Sequence, residues 1–305
     1  MVGVKRIWLA VAVLIFGILG VSTLFYLPSD INISGNTPLP ATLRVGVLPD
    51  ESPERLRQRY EPLLDHLSEQ LQIACELIIP SSYSELLSLF TERSIDLAYF
   101  GGFTYVKARQ QAGAIPLVMR RIDTRFTSYF LVAGDSAVES LHDLRGKTIG
   151  FGSKLSTSGH LMPRFFLEQQ DIVPESFFDG IEYSGAHDKT AYWVRDRRVD
   201  VGAANAATIR SMLADGRINE DDLRILWETP PYADYVWAIR PEFDDASRTG
   251  LRDAFLQLTP EIDQHAAILA EVNAKGFVSA DPDYFANLEQ IAIETEKLFA
   301  TGRVQ

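Results

Sequence analysis

The amino-acid sequence predicts an α/β fold with two lobes, and three observations support that prediction. Strand-like and helix-like segments alternate from Leu43 to Trp227, which is typical of mostly parallel sheets with helices on their faces. The alternation occurs in two successive units. Two extended segments, near Asp123–Phe130 and Thr229–Val236, pass between the units. We therefore expect two lobes joined by two crossover strands, with a cleft between them.

The composition is that of a folded globular protein. The chain has 305 residues, 46% of them hydrophobic, which suffices for one large or two medium domains. The net charge of -12 argues against nucleic acid as a partner but does not prevent local donors from binding a small anion. The single cysteine, Cys75, excludes an intramolecular disulfide, and its apolar surroundings predict a buried strand residue.

The N-terminus has the pattern of a targeting segment. Lys5 and Arg6 precede an uncharged, apolar stretch from Ile7 to Leu27 that is long enough to span a bilayer. We predict that residues 1–27 form a signal anchor or transmembrane segment and favour an uncleaved anchor over a cleaved peptide. The positive residues before it place the following domain on the exported side. Residues 28–42, rich in Pro, Ser, Asn and Gly, read as a tether.

Lobe 1 is predicted to consist of residues 43–125 together with 236–305. Its strands are predicted at 43–48, 76–79, 95–100 and 115–120, with helices at 54–72, 82–91 and 104–111. The apolar run 235–239, after Pro230 and Pro231, predicts another strand. From Ser247 onward the pattern predicts helices and no strand.

Lobe 2 is predicted to consist of residues 126–235. A long strand at 127–133 opens it, and further strands are predicted at 147–151, 180–183, 199–203 and 223–227. Helices are predicted after Ser158, at 187–196 and at 206–213. Ligands of open α/β sheets bind at the carboxyl ends of the strands, so we expect the site where these strands meet helix starts.

The most informative segment is Ser156-Thr157-Ser158, which follows the strand 147–151 and precedes an apolar-periodic helix. The start of a helix leaves backbone N–H groups unpaired and carries partial positive charge, so it can bind an oxyanion. The three hydroxyls would add donors without any positive side chain. The alternative is a cluster that only caps the helix, because Ser and Thr are common capping residues.

Three more positions point toward the same cleft. Tyr83 lies at a strand-to-helix turn, where its phenol can reach a ligand, and His187 lies at another such turn. Tyr129, on the first crossing, projects into or away from the cleft depending on its face. Tyr83 and His187 also have structural interpretations. Tyr83 can cover part of the core at the start of its helix, and His187 can have a purely structural role at a helix start.

Catalytic and metal sites are not predicted. Ser156 or Ser158 could form a triad with His187 and Asp188 or Asp234, but the chain has no Gly-x-Ser-x-Gly elbow, and three adjacent hydroxyls suit anion binding better than nucleophilic attack. The five histidines lack paired spacing, so we expect no metal and no cofactor. Arg120 and Arg121 read as a solvated strand end.

Several motifs together carry a resemblance to a known family. The segment 144–152 runs into 156–163, and the segments 96–101, 185–188 and 199–203 follow the same order as in that family. From Leu43 to Arg240 the chain resembles the phosphate/phosphite/phosphonate-binding family of ABC-transporter periplasmic binding proteins. The resemblance implies a two-lobed periplasmic-binding-protein fold that is type II-like, a periplasmic location and an ABC permease as partner.

The resemblance also implies roles for individual residues. In that family the hydroxyls and backbone N–H groups of the Ser-Thr-Ser helix start hold the oxyanion, and two tyrosines and a histidine complete the shell. By motif position these roles fall on the following residues: Tyr83, Tyr129, Ser156, Thr157, Ser158 and His187.

One departure bears on the ligand. Family members that bind aminoalkyl phosphonates use carboxylates to hold the ammonium group. One of these would fall where this chain has Asn205-Ala206-Ala207 and no acid, and the other would fall near Asp234-Tyr235. Phosphate, phosphite or a small alkyl phosphonate therefore fits better. Two other functions remain open from the sequence: a membrane-tethered sensing domain for a signalling partner, and a periplasmic phosphoesterase.

Overall fold

A computed structural model describes residues 35–300. The predicted anchor, residues 1–27, lies outside the described residues. None of the helices between residues 35 and 300 is both long and apolar enough to cross a membrane. The end of the predicted tether is packed rather than free, because Thr37 forms a parallel bridge with Phe243 and the Leu39 N–H donates to Ser247 Oγ at 3.1 Å.

Lobe 1 is built on a six-stranded mixed sheet. In spatial order its strands are β11 (Phe277–Ser279), β4 (Ile115–Arg120), β10 (Val236–Ile239), β3 (Leu97–Phe100), β1 (Thr42–Val47) and β2 (Ala74–Ile78). Its helices are α1 (Pro53–Leu71), α2 (Tyr83–Thr91), α3 (Gly102–Ala112), α8 (Asp245–Leu256), α9 (Asp263–Glu271) and α10 (Ala286–Ala300). Strands β1, β2 and β3 are parallel, whereas β10 runs antiparallel between β3 and β4.

Lobe 2 is built on a five-stranded sheet. In spatial order its strands are β7 (Gly180–Tyr183), β6 (Thr148–Phe151), β8 (Val201–Asn205), β5 (Ser128–Ala133) and β9 (Leu223–Glu228). Its helices are α4 (Met162–Glu168), α5 (Pro174–Phe177), α6 (His187–Arg195) and α7 (Ala206–Ala214). Strands β6, β7 and β8 are parallel, and β5 is antiparallel to both of its neighbours.

The local sequence explains why these elements form. Helix α1 begins after Ser52, whose Oγ accepts from the Arg55 N–H, and Pro53 stands at the first helical position, where its missing N–H costs nothing. Leu56, Leu63 and other apolar side chains at helical spacing are buried against the sheet. The central strand β3 is buried along its whole length, as expected for a strand covered on both faces.

Two crossings connect the sheets, and they lie where the sequence predicts them. The first runs from β4 to β5 and the second from β9 to β10. They pair with each other, because Phe126 and Tyr232 exchange two backbone hydrogen bonds of 2.7 and 2.9 Å. Lobe 1 here denotes residues 43–125 with 236–305, and lobe 2 denotes residues 126–235.

A buried ion pair holds the start of the first crossing. Asp123 accepts from Arg120 at Nε (2.8 Å) and at a terminal guanidinium nitrogen (2.6 Å). The same guanidinium donates to the Val272 carbonyl at 2.9 Å and lies over the rings of Tyr99 and Tyr235. The prediction that Arg120 is a solvated strand end is therefore wrong: only Arg121 is exposed.

Two other predictions are corrected by the sheet order. A strand, β11, occurs after Ser247, where the sequence predicts only helices; its three residues are too few to show a periodic pattern. Cys75 lies on β2 but is only half-buried, because β2 is an edge strand of the sheet. Burial still raises the pKa of its thiol.

We predict that Asp123→Ala lowers the free energy of unfolding by about 3–5 kcal/mol, because it leaves the Arg120 guanidinium buried without a counter-charge. Chemical denaturation would measure the change. Asp135→Ala is the matched control, since Asp135 pairs with Arg197 on the surface, where loss of an ion pair costs under about 1 kcal/mol. Equal effects of the two substitutions would contradict the structural role of the buried pair.

Candidate functional site

The candidate site lies where helix starts from both lobes meet. Helices α2 and α3 follow strands of lobe 1, and the turn at residues 156–161 and helix α6 follow strands of lobe 2. The lobes are in contact here: Thr104 Oγ1 donates to the Leu155 carbonyl at 3.1 Å, and the His187 N–H donates to the Asp50 carbonyl at 3.0 Å. The cleft is therefore closed in this structure.

The three predicted hydroxyl residues are buried together at the end of β6. Ser156, Thr157 and Ser158 are exposed by no more than 2%. Ser156 Oγ accepts from the Gly159 N–H at 2.9 Å and so caps the turn. A π-helical turn, Thr157–Leu161, widens the backbone before α4 begins. The capping role and the hydroxyl cluster thus coexist, because an oxygen that accepts from the backbone keeps its own proton for another partner.

Gly159 allows this turn to pack against its surroundings. A Cβ atom at this position would lie 2.9 Å from His187 Cε1, 3.0 Å from Ser156 Oγ and 3.1 Å from Gly152 Cα. The Gly152 N–H also donates to the Gly159 carbonyl at 2.8 Å. The absence of a side chain therefore brings the serine turn and the imidazole of His187 together.

The start of α3 donates backbone hydrogen bonds to two residues of lobe 2, Asp234 and Thr157. The Gly102 N–H donates to Asp234 Oδ1 at 2.9 Å, and the Phe103 N–H donates to Thr157 Oγ1 at 2.9 Å. Burial raises the pKa of Asp234 to about 7, and the hydrogen bond from the Gly102 N–H and the nearby hydroxyls of Thr157 and Ser158 oppose the shift. This carboxyl group is therefore poised between its neutral and ionised forms near neutral pH.

Tyr83 begins α2, and its ring is 2% exposed. Burial, with the nearby Asp50 charge as a smaller cause, raises the pKa of the phenol well above its usual value, and the Ser156 hydroxyl opposes the shift. Tyr83 is therefore a neutral hydrogen-bond donor beside the serine turn.

His187 begins α6 and is fully buried. Its Nδ1 accepts from the Asn205 N–H at 3.3 Å, so the proton of the neutral ring is on Nε2, which lies 3.3 Å from the Tyr235 hydroxyl. Burial lowers the pKa of the ring to about 3. His187 is therefore a neutral donor through Nε2 rather than a cation.

Four polar atoms in this region are buried and have no hydrogen-bond partner among residues 35–300. They are Tyr83 OH, Ser158 Oγ, Asp50 Oδ1 and Asp234 Oδ2. Buried polar atoms normally have a partner, since leaving one unpaired costs about 1–3 kcal/mol. Two of these groups are hydroxyl donors and two belong to carboxyl groups, so a ligand that both accepts and donates hydrogen bonds would satisfy them.

Tyr129 is not brought together with the other predicted residues. Side chains alternate between the faces of a strand. On β5 the neighbouring Ser128 points to the cleft, where its Oγ donates to the Ser158 carbonyl at 2.7 Å. The Tyr129 hydroxyl points to the other face and accepts from Arg210 of α7 at 2.6 Å. Tyr129 therefore lies on the face of β5 opposite to the hydroxyl cluster.

Sequence reasoning did not identify Asp50 or Tyr235 as site residues. The Tyr235 hydroxyl donates to Asp50 Oδ2 at 3.1 Å and accepts from Asn205 Nδ2 at 2.8 Å. Burial raises the pKa of Asp50 to about 6, and the charge of Arg59 opposes the shift. One signal could have identified Asp50: it stands just beyond the carboxyl end of the first parallel strand.

The chain is similar to several known proteins. A family model described as ABC transporter, phosphonate, periplasmic substrate-binding protein matches residues 45–285. A probable ABC transporter phosphite binding protein, PhnD1 of Prochlorococcus marinus (strain MIT 9301), is 31% identical over 271 residues, which cover 85% of this chain and 91% of that protein. The phosphonates-binding periplasmic protein of Escherichia coli (strain K12) is 23% identical over 83% of this chain and 77% of that protein. The solved structure of PhnD1 with methylphosphonate has a TM-score of 0.80, 30% identity, and coverage of 85% of this chain and 100% of that one.

We predict that Gly159→Ala lowers the free energy of unfolding by about 1–3 kcal/mol, because the added methyl group overlaps backbone and side-chain atoms that are packed on both sides. Gly250→Ala is the control. Gly250 lies within α8 with its nearest neighbour 3.9 Å from the added Cβ, so alanine there should stabilise the helix by up to about 1 kcal/mol. Thermal unfolding of both variants would measure the difference, and a harmless Gly159→Ala would refute the tight packing of the turn.

Proposed function

Because this chain belongs to the family of ABC-transporter periplasmic substrate-binding proteins for phosphonates, we propose that it captures a phosphorus oxyanion between its lobes and delivers it to an ABC permease. The ligand is phosphite, phosphate or a small alkyl phosphonate. The residues that bind it are Tyr83, Ser156, Thr157, Ser158, His187 and Asp234. The protein releases its ligand chemically unchanged.

The observation that carries this proposal is the pair of buried hydroxyls without acceptors, Tyr83 OH and Ser158 Oγ. An oxyanion supplies several acceptor atoms at once and can satisfy both. The helical segment 157–168 directs the positive end of its dipole to the same place. In a closed cleft these neutral donors interact more strongly with an anion than they would in water, because solvent does not compete.

The carboxyl group of Asp234 selects for phosphorus. A carboxylate repels a fully ionised anion, so Asp234 Oδ2 tolerates an oxyanion only if one proton lies between them. Phosphorus oxyacids of this type retain a proton close to neutral pH, and the pKa of Asp234 is raised to about 7. Sulfate carries no such proton at this pH. Sulfate can therefore bind only while Asp234 itself is protonated, and we propose that this requirement makes sulfate a weaker ligand than the phosphorus oxyanions.

The space beside the site favours a ligand with little or no substituent. An inner cavity of about 10 Å³, lined by Asp50, Tyr99, Arg120, Tyr235 and others, has room for about one water molecule. Arg59 and Arg120 act on the charge of Asp50, which makes this carboxylate a poor partner for a ligand ammonium group. PhnD1, the relative described above, is named for phosphite, and its solved structure holds methylphosphonate.

Asn205 is unsuited to bind an ammonium group as well. Both ends of its amide are engaged, because Oδ1 accepts from the Thr208 N–H at 2.9 Å and Nδ2 donates to the Tyr235 hydroxyl. An aminoalkyl phosphonate would therefore have to break these bonds or leave its ammonium group without a counter-charge.

The wider setting follows from the family and the N-terminal pattern. We propose that residues 1–27 remain attached as an anchor, so that the protein works at the periplasmic face of the inner membrane. We also propose that lobe opening occurs about the two crossings, with 43–125 and 236–305 moving against 126–235. The permease then recognises the closed, ligand-bound form of the protein.

We predict that isothermal titration calorimetry detects binding of phosphite and methylphosphonate, with weaker binding of aminoethylphosphonate and of sulfate. Tyr83→Phe and Ser158→Ala should each raise the dissociation constant by roughly 10- to 100-fold, because each removes one hydrogen bond to a charged ligand. Tyr284→Phe, which alters an exposed phenol, is the matched control and should bind as the wild type does.

Binding titrations and a turnover assay separate the alternatives. Undiminished binding by both variants would show that the site is elsewhere, and tightest binding of aminoethylphosphonate would refute the argument from Asn205. Turnover of a phosphoester that Ser156→Ala abolishes would contradict the proposal that the ligand leaves unchanged.

We predict that affinity for phosphite is steady at low pH and falls as pH rises through the raised pKa of Asp234, about 7. Above about pH 8 the loss should approach about tenfold per pH unit, because the proton shared between ligand and carboxyl group is gone. Asp234→Asn should abolish this slope above pH 8. A slope that survives in Asp234→Asn and disappears in Asp50→Asn would assign the proton to Asp50 instead.

A further inference from the structure

A second concave surface lies between the lobes, outside the site described above. It is a groove of about 640 Å³ whose floor is apolar and whose rim is basic. The apolar floor is formed by Ile122, Ala207, Ala214, Ala270 and Ala274. The basic rim is formed by Arg121, Arg210 and Lys275, all three of them exposed. We call this surface the basic groove.

The charge of the basic groove is opposite to that of the protein. The chain has a net charge of -12, yet no Asp or Glu is among the ten residues that line the groove. Within residues 35–300, none of the three rim cations forms an ion pair with a carboxylate. Most other arginines among residues 35–300 do form an ion pair with a carboxylate, as Arg197 does with Asp135. The groove is therefore a local positive patch on an acidic protein.

One rim cation is oriented toward a fixed position. The Arg210 guanidinium donates to the Tyr129 hydroxyl at 2.6 Å and lies 5.5 Å from the centre of the same ring. This contact restrains the side chain without neutralising its charge. Its remaining N–H donors are available to a ligand oxygen, because a guanidinium has five of them.

We propose that the basic groove is a second ligand site, for an organic polyanion with a compact apolar body and two or more negative groups. A volume of about 640 Å³ lies within the range of small-molecule sites, which combine a mostly apolar lining with a few charged groups. The alanine floor accepts a flat apolar body, and the three cations bind the acidic groups around it. This ligand is larger than the oxyanion proposed for the inner site, beside which only about 10 Å³ is free.

The position of the groove couples it to lobe closure. Arg121 and Lys275 come from lobe 1, whereas Arg210 and Ala207 come from α7 of lobe 2. Ala207 also lines the inner cavity beside Asp50 and Tyr235. A ligand that contacts both walls favours the closed arrangement and so raises affinity at the inner site, and the effect is reciprocal. The binding itself does not depend on the function proposed above.

The test uses benzene-1,3,5-tricarboxylate as the probe, because it combines an apolar ring with three negative groups. Calorimetry at low ionic strength would measure its binding to the full chain, with and without saturating methylphosphonate. Benzoate, with the same ring and one charge, should bind at least about tenfold more weakly. The double variant Arg121→Ala/Lys275→Ala should weaken binding of the tricarboxylate by about tenfold. Neither side chain makes a hydrogen bond or ion pair in residues 35–300, so the fold should be unaffected.

The control is Arg57→Ala/Arg252→Ala, which removes the same charge from helices α1 and α8 and should leave binding unchanged. Tighter binding of the probe in the presence of methylphosphonate would support the coupling as well as the site. No binding under either condition, or equal loss in both double variants, would overturn the proposal. Competition between the probe and methylphosphonate would also overturn it, because it would place the probe in the inner site. Binding of the probe without any binding of methylphosphonate would leave the groove established and refute only the inner-site function.

Discussion

The site depends on the removal of water from its polar groups. Closing the lobes buries the hydroxyls of Tyr83 and Ser158, the imidazole of His187 and the carboxyl groups of Asp50 and Asp234. The same burial lowers the pKa of His187 to about 3 and raises that of Asp234 to about 7. Both shifts favour the neutral form, so the His187 ring is an uncharged donor and the Asp234 carboxyl group is only partly ionised near neutral pH. An anion that enters it meets donors that water no longer screens.

Closure has its own electrostatic support at the edge of the cleft. Glu51 of lobe 1 is buried and accepts from Arg59 of its own lobe and from Arg217 of lobe 2, the latter at 3.0 Å. A second interlobe pair joins Arg55 to Asp215 at 3.2 Å. Glu51 follows Asp50 directly in the chain. The ion pairs that hold the lobes together therefore include the residue that follows Asp50 in the chain.

The predictable part of this protein is the part that depends on local sequence. The two-lobed α/β fold follows from alternating strand and helix patterns, and the positions of Tyr83, Ser156 and His187 follow from strand-to-helix turns. The unpredictable part depends on packing between distant segments. The face on which Tyr129 lies is set by the register of β5, and a shift of one residue would reverse it. Burial of Arg120 depends on Asp123 and on Val272 far along the chain.

We propose that the inner site and the basic groove recognise anions by opposite means. At the inner site the proposed donors are neutral hydroxyl, imidazole and backbone N–H groups, and the carboxyl group of Asp234 accepts an anion only with a proton between them, which makes the site selective. The basic groove uses exposed Arg121, Arg210 and Lys275, whose charges attract many anions and discriminate weakly. In this proposal the buried hydroxyls determine specificity, and the exposed cations affect how readily the lobes remain closed. In this proposal a second anion can stabilise the closed form without changing which anion the inner site binds.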